Sequence, residues 1–324
     1  MKKVVAPLLT ALLLFGAQPY AAAAEQAETG TSPTLVGSRA AGSYTELPAA
    51  KAKPKWSLTE DAVDLGLSGV SPHVTKTTLG DRLWRSEAVP TGTGASLCDA
   101  TGNCVQESFT TGAVGPVSDY TIAKAPSGWR AYFKKIDGDT QGVYSAPCLT
   151  ADCLSFGTPT LTSSGMVVSR ETRAWGVPDP VKLADGRIRI YIVESPVSGG
   201  CTEKVASYIS PDGITFKKEK GWRLSGGFVD TEVLRVKKGN WVMIVADGPG
   251  CGSDKGSQKP QQLFITTSLN GLKWTTPKAL TGTDVGRLDP TGYEVSKNVF
   301  RIYYASGSIT DNNYTIERAT LRFK

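Results

Sequence analysis

An all-β fold, a five-bladed β-propeller whose last blade is closed by an amino-terminal strand, is predicted by three observations. A short acid-bearing strand recurs along the chain. A tight-turn residue follows each copy at a similar distance. The 324 residues include 35 Gly and 19 Pro but only three Met and one His. Such a balance favours strands and turns over long helices.

Three segments are expected in chain order. Residues 1–24 open with Met1, Lys2 and Lys3, continue through an apolar stretch from Val4 to about Ala17, and end in an alanine run. A basic start, a short apolar core and small residues at the cleavage point make a secretory signal peptide, too short to span a bilayer. Residues 25–54 are rich in Ala, Gly, Ser, Thr, Pro and Lys and lack apolar periodicity, which predicts a flexible leader. The propeller is expected over 55–324. No later segment offers the ~18 consecutive apolar residues of a membrane helix, so a secreted protein without membrane contact after signal cleavage is expected. The formal charge of +6 falls to +4 without Lys2 and Lys3, too weak and scattered for nucleic-acid binding.

The recurring strands are Val70-Ser71-Pro72-His73, Val117-Ser118-Asp119-Tyr120, Val177-Pro178-Asp179-Pro180, Val229-Asp230-Thr231-Glu232 and Leu288-Asp289-Pro290-Thr291. Their anchors are read as 71, 119, 179, 230 and 289. Gly80, Gly128, Gly186, Gly239 and Asn298 supply the positive φ of the hairpin that follows. Second strands are expected at 82–86, 129–134, 188–193, 241–246 and 299–305. Ser210 to Phe216 and Ser268 to Trp274 carry Asp-Gly and Asn-Gly, strong signals for a further hairpin. The fifth unit lacks a fourth strand after Leu321. The segment beginning at Trp56 resembles the fourth-strand segments at Trp222 and Trp274, and can close the ring, removing its exposed edge.

Six cysteines in an oxidising destination pair into disulfides. Spacing couples Cys98 with Cys104 and Cys148 with Cys153, leaving Cys201 for Cys251. No cofactor or metal site is expected. A structural calcium near the axis is compatible with the carboxylates, although no loop has calcium-ligand spacing. A monomer is expected.

The innermost strands begin at one end of the central channel, so the anchors should form a ring there. Glu232 shares a strand face with Asp230, two residues away. Clustered carboxylates repel, so at least one should titrate upward and serve as an acid. Asp119, Asp179, Asp289 and Glu232 are therefore the catalytic candidates. Trp175, Tyr120, Tyr293, Asp230 and Arg287 are the substrate-binding candidates, the aromatics offering flat apolar faces to a sugar. The same Asp residues have a structural alternative, bonding to backbone amides at strand entry. Trp84, Trp129, Trp222, Trp241 and Trp274 are expected to pack between blades.

Asp179-Pro180 ahead of Asp185-Gly186 and Tyr191, Glu232 in Asp230-Thr231-Glu232-Val233, and the hairpins at Ser210 and Ser268 resemble the five-bladed propeller glycosidases, which include arabinanases, β-xylosidases, invertases and levansucrases. The resemblance spans roughly 56–324. It implies a glycan or oligosaccharide partner, Glu232 as general acid and Asp179 as the transition-state-stabilising Asp. The family's first Asp-Pro is Ser71-Pro72 here, and a hydroxyl is no carboxylate base. Either Asp119 or Asp289 takes that role, or the protein is a non-catalytic carbohydrate- or ligand-binding propeller.

Overall fold

The computed structural model describes residues 56–86, 93–112, 117–169, 176–194, 201–236, 240–248, 260–308 and 313–323. The expected signal peptide and leader, Trp175, Gly239 and Cys251 lie outside these residues. The described chain is built from antiparallel blades, and its one helical element is a single 3-10 turn, Ser164–Met166.

Blade I orders Val70–Lys76, Asp81–Ser86, Thr93–Cys98 and Cys104–Glu107 from the inside outward. Blade II orders Val117–Ala125, Gly128–Asp137 and Thr140–Pro147, with Thr160–Leu161 and Val167–Ser169 both on its third strand. Blade III runs Gly176–Lys182, Ile188–Glu194 and Lys204–Ser210, edged by Lys217–Lys218 and Leu224–Ser225. Blade IV runs Phe228–Val236, Asn240–Asp247, Leu263–Ser268 and Lys278–Ala279. Blade V takes Gly286–Ser296, Val299–Ser308 and Asn313–Phe323 from the end of the described chain and Trp56–Glu60 from its beginning. Trp56 stands opposite Phe323 and Glu60 opposite Ala319, so the first strand closes the last blade. Gly80, Gly128, Gly186 and Asn298 carry the positive φ expected at the inner hairpins.

The core is divided among the blade boundaries, because a twisted sheet must bury both faces against its neighbours. Val143 and Tyr132 of blade II pack with Ile188, Ile190 and Ile192 of blade III. Val242 and Ile244 of blade IV meet Phe300, Ile302 and Tyr304 of blade V. Each fully buried aliphatic side chain contributes about 1.5–3 kcal/mol relative to exposure.

The two Asp-Gly and Asn-Gly hairpins fasten one blade to the one before it. Gly213 and Gly271 adopt φ of 78° and 70°. Their N–H groups donate to Ser210 Oγ and Ser268 Oγ at 2.8 and 2.9 Å. Their carbonyls accept the hydroxyls of Tyr132 and Tyr191 at 2.8 and 2.7 Å. A Cβ on Gly213 would stand 2.4 Å from Ala125 Cβ, and one on Gly271 2.6 Å from Tyr191 Oη. Glycine is thus required for turn and contact alike.

Cys98–Cys104 and Cys148–Cys153 are disulfides. Cys201 is also disulfide-bonded, while its expected partner lies outside the described residues. Trp84 and Trp241 are buried between blades, as expected. Trp129 and Trp222 instead remain 44% and 41% exposed. Trp222 lies near the blade III edge, under the ammonium groups of Lys204 and Lys218.

Candidate functional site

The inner strand of every blade is broken by a register shift near its start. The first residue inside each shift has left-handed backbone: Ser71 (49°), Asp119 (57°), Val177 (49°), Asp230 (54°) and Asp289 (51°). This corrects the anchor read from sequence in blade III, where Val177 and not Asp179 is equivalent to the others. Asp179 stands two residues further along, with His73, Thr121, Glu232 and Thr291. Two rings of side chains therefore follow one another along the inner strands.

The first ring is held by bonds across blade boundaries. Asp289 Oδ2 accepts the backbone N–H of Ser71 at 2.9 Å. The Ser71 hydroxyl donates to Asp119 Oδ1 at 2.8 Å. Lys134 Nζ approaches Asp119 Oδ2 at 2.9 Å. Burial, the Asp289 charge and the hydrogen bond it donates to Asp289 push the Asp230 carboxyl well above the usual carboxylate range. Burial and the Asp119 charge also raise Asp289, to about 6, against the opposing pull of Ser71 N–H, Asp230 and Lys134. The ring thus combines an ion pair with a carboxyl pair sharing a proton.

In the second ring, four of five side chains accept a backbone N–H from the following blade. His73 Nε2 accepts from Ile122 at 2.9 Å, Asp179 Oδ2 from Val233 at 2.7 Å, Glu232 Oε1 from Gly292 at 3.1 Å and Thr291 Oγ1 from Val74 at 3.2 Å. Thr121 is the exception, because the corresponding residue of blade III is Pro180, which has no N–H. Thr121 Oγ1 turns to the carbonyl of Tyr132. Glu232 is raised well above the usual range by burial and by the neighbouring Asp179 charge. Asp179 is raised chiefly by burial. Burial lowers His73 to about 4, so the imidazole is neutral, and the bond at Nε2 puts its proton on Nδ1.

A narrow cleft, open to solvent, runs between these strands. Three carboxylates line it, Asp119, Glu232 and Asp289, together with Ser71, His73, Tyr120, Thr121 and Thr231. Asp179 and Asp230 are not in its lining; the charge of Asp179 raises Glu232, and Asp230 is hydrogen-bonded to Asp289. Tyr120 reaches the cleft wall yet is only 2% exposed, packed between Phe133, Phe156 and Phe109.

Two substrate-binding candidates sit elsewhere. Arg287 is buried against Glu60 and Asp284, both at 2.9 Å, and pins the closing strand. Tyr293 donates its hydroxyl to Asp81 at 2.6 Å at the junction of blades V and I. Among the described residues no group of three or more His, Cys, Asp or Glu side chains is arranged to hold a metal ion.

Lys134 was missed in the sequence because it follows the core strand Ala131-Tyr132-Phe133. Its pairing with Ser118, next to Asp119, becomes visible only in the register. The blade III offset had a signal: Pro178 aligns with Pro72 and Pro290, each directly after the left-handed residue. Aligning on Asp179-Pro180 hid it.

No protein-family model matches this chain, and no curated protein matches it. Solved structures do. A thermostable family-43 glycoside hydrolase superposes with a TM-score of 0.61 at 12% identity, over 82% of this chain and 95% of that one. The α-L-arabinofuranosidase from Podospora anserina in complex with cellotriose gives 0.55 at 9% identity, over 83% and 96%. The endo-arabinase from Bacteroides thetaiotaomicron gives 0.56 at 12% identity, over 82% and 97%. The chain has the fold of the five-bladed propeller glycosidases.

Proposed function

We propose that this protein is a secreted glycoside hydrolase of the propeller type, acting on a glycan in the cleft between the inner strands. The observation that carries this proposal is the convergence of Asp119, Glu232 and Asp289 on one cleft, each in a different electrostatic setting. Hydrolysis of a glycosidic bond needs a carboxyl that holds its proton to protonate the leaving oxygen, and an ionised one to act as base or nucleophile. Glu232, raised by burial and by Asp179, suits the acid. The Asp179 charge is part of what raises it. The base falls to Asp119 or Asp289. The disulfides support an oxidising, extracytoplasmic destination.

A second reading, a carbohydrate-binding propeller without hydrolysis, draws on the second ring. His73 and Thr291 make the same cross-blade bond as Asp179 and Glu232, so that bond requires no acid function. Mature protein should be tested on 4-nitrophenyl glycosides and on plant and bacterial polysaccharides, beside Glu232→Gln and Asp119→Asn. Sugar release lost in both variants supports hydrolysis. Retention of a polysaccharide without release by the wild type supports the binding module.

A further inference from the structure

Lys134 has no part in the backbone latches or the core, yet its ammonium is drawn into a ring of acids. The second strand of blade II places it opposite Ser118. Its Nζ lies 2.9 Å from Asp119 Oδ2, and the Asp119 charge, with smaller contributions from Asp289 and Asp230, holds it above the usual lysine range. Asp119 lines the cleft and Lys134 does not.

The charged and titratable groups around Asp119 can be assigned. Asp289 and Asp230 belong to the same ring, with one proton between them. Tyr314, on the third strand of blade V, faces that pair, which raises its phenol further after burial. Glu232 and the neutral His73 stand in the second ring. The remaining Asp119 oxygen takes the Ser71 hydroxyl at 2.8 Å. One carboxylate of the ring is therefore held at one oxygen by the Ser71 hydroxyl and at the other by the Lys134 charge, while Asp289 is held by the Ser71 N–H and by Asp230.

We infer that Lys134 is a positioning residue: acting through Asp119, it holds that carboxylate as an ion pair beside Ser71, so that Asp119 and not Asp289 serves as base. The base role rests on the glycosidase proposal, whereas the placement of Lys134 rests on the ion pair. Ser71 then has a duty in blade I, since its hydroxyl orients the base contributed by blade II.

The test compares wild type, Lys134→Met and Lys134→Arg as the mature chain, with thermal melting to confirm that each folds. In protein carrying 13C at the aspartate carboxyls, signals are assigned by their loss in Asp119→Asn, Asp230→Asn and Asp289→Asn. Removing the ammonium in Lys134→Met should raise the Asp289 titration, because the Lys134 charge opposes its upward shift. Lys134→Arg should leave it near wild type. On whichever 4-nitrophenyl glycoside the wild type cleaves, Lys134→Met should lose about tenfold or more in kcat/KM near pH 6, within the span of general base catalysis. The acid limb of its pH profile should move to higher pH with KM little changed, and Lys134→Arg should recover most of the loss. Unmoved carboxyl signals, or a Lys134→Met profile parallel to the wild type, would overturn the inference. A wild type that cleaves no glycoside defeats the glycosidase proposal and the base role together. The carboxyl titration then decides by itself whether Lys134 sets the ionisation of the ring.

Discussion

The Ser71 hydroxyl donates to Asp119 across the boundary between blades I and II, while the Ser71 N–H donates to Asp289 on the other side. A single small residue therefore links two carboxylates from blades V and II. Ser71, which precedes Pro72 in blade I, is thus a connector between two acids.

Ser71→Asp would add a carboxylate there and should not improve the site. The new charge would be buried against Asp119 and Asp289, with Lys134 already committed. A loss of about 3–5 kcal/mol, typical of an uncompensated buried charge, is expected at pH 8 in urea unfolding, shrinking toward pH 4 as carboxyls protonate. Equal stability of variant and wild type at pH 8 would contradict the assigned ring electrostatics.

Glu232 should cost stability at neutral pH. Its carboxyl is raised in the fold, so the folded state binds more protons than the unfolded chain above about pH 4.3. Its contribution is most favourable in acid and is lost as pH rises toward the folded value. Glu232→Gln keeps an acceptor for Gly292 and carries no charge. It should be more stable than wild type at pH 8, where the wild-type carboxyl bears the cost of burial and of the Asp179 charge, with no gain at pH 4. Denaturation at the two pH values measures this directly.

His73 contributes with the opposite sign. It is the one histidine in the sequence, so its imidazole gives a single set of resonances. The folded value of about 4 lies below the ordinary 6.5, and the unfolded chain takes up a proton first as pH falls. Its contribution should be lost between about pH 6.5 and pH 4, by about 3 kcal/mol in total. The NMR titration should show no protonation at pH 5.5; a midpoint near 6.5 would mean a solvated ring.

Tyr191→Phe should destabilise the domain by about 1–3 kcal/mol, because the Gly271 carbonyl loses its buried donor. The change lies at the junction of blades III and IV, so kcat/KM for any cleaved glycoside should stay near wild type.

Strand order and blade closure were legible because they rest on local signals. Asp212-Gly213 and Asn270-Gly271 specify hairpins, and Trp56 repeats the pattern of later edge strands. The site was only partly legible. Asp119 and Asp289 were read as anchors and Glu232 as the residue two places beyond one, and all three line the cleft, whereas Asp179 was read as an anchor although it stands two residues beyond Val177. A bulge adds a residue without changing the apolar pattern around it, so periodicity alone does not reveal it. Arg287 and Tyr293 lie close in sequence to an anchor, yet their partners, Glu60 and Asp81, come from strands more than two hundred residues away. Lys134 likewise depends on cross-strand pairing.

The most direct test of the central claim is the leaving-group dependence of Glu232→Gln. A general acid matters when the departing oxygen needs a proton, and little when it leaves readily as an anion. kcat/KM should be measured for wild type and variant on an oligosaccharide and on a 2,4-dinitrophenyl glycoside of the same sugar. The variant should lose about 100-fold or more on the oligosaccharide, the scale of general acid catalysis, and far less on the dinitrophenyl glycoside. Equal losses on both, or no loss on either, would contradict Glu232 as the proton donor of this site.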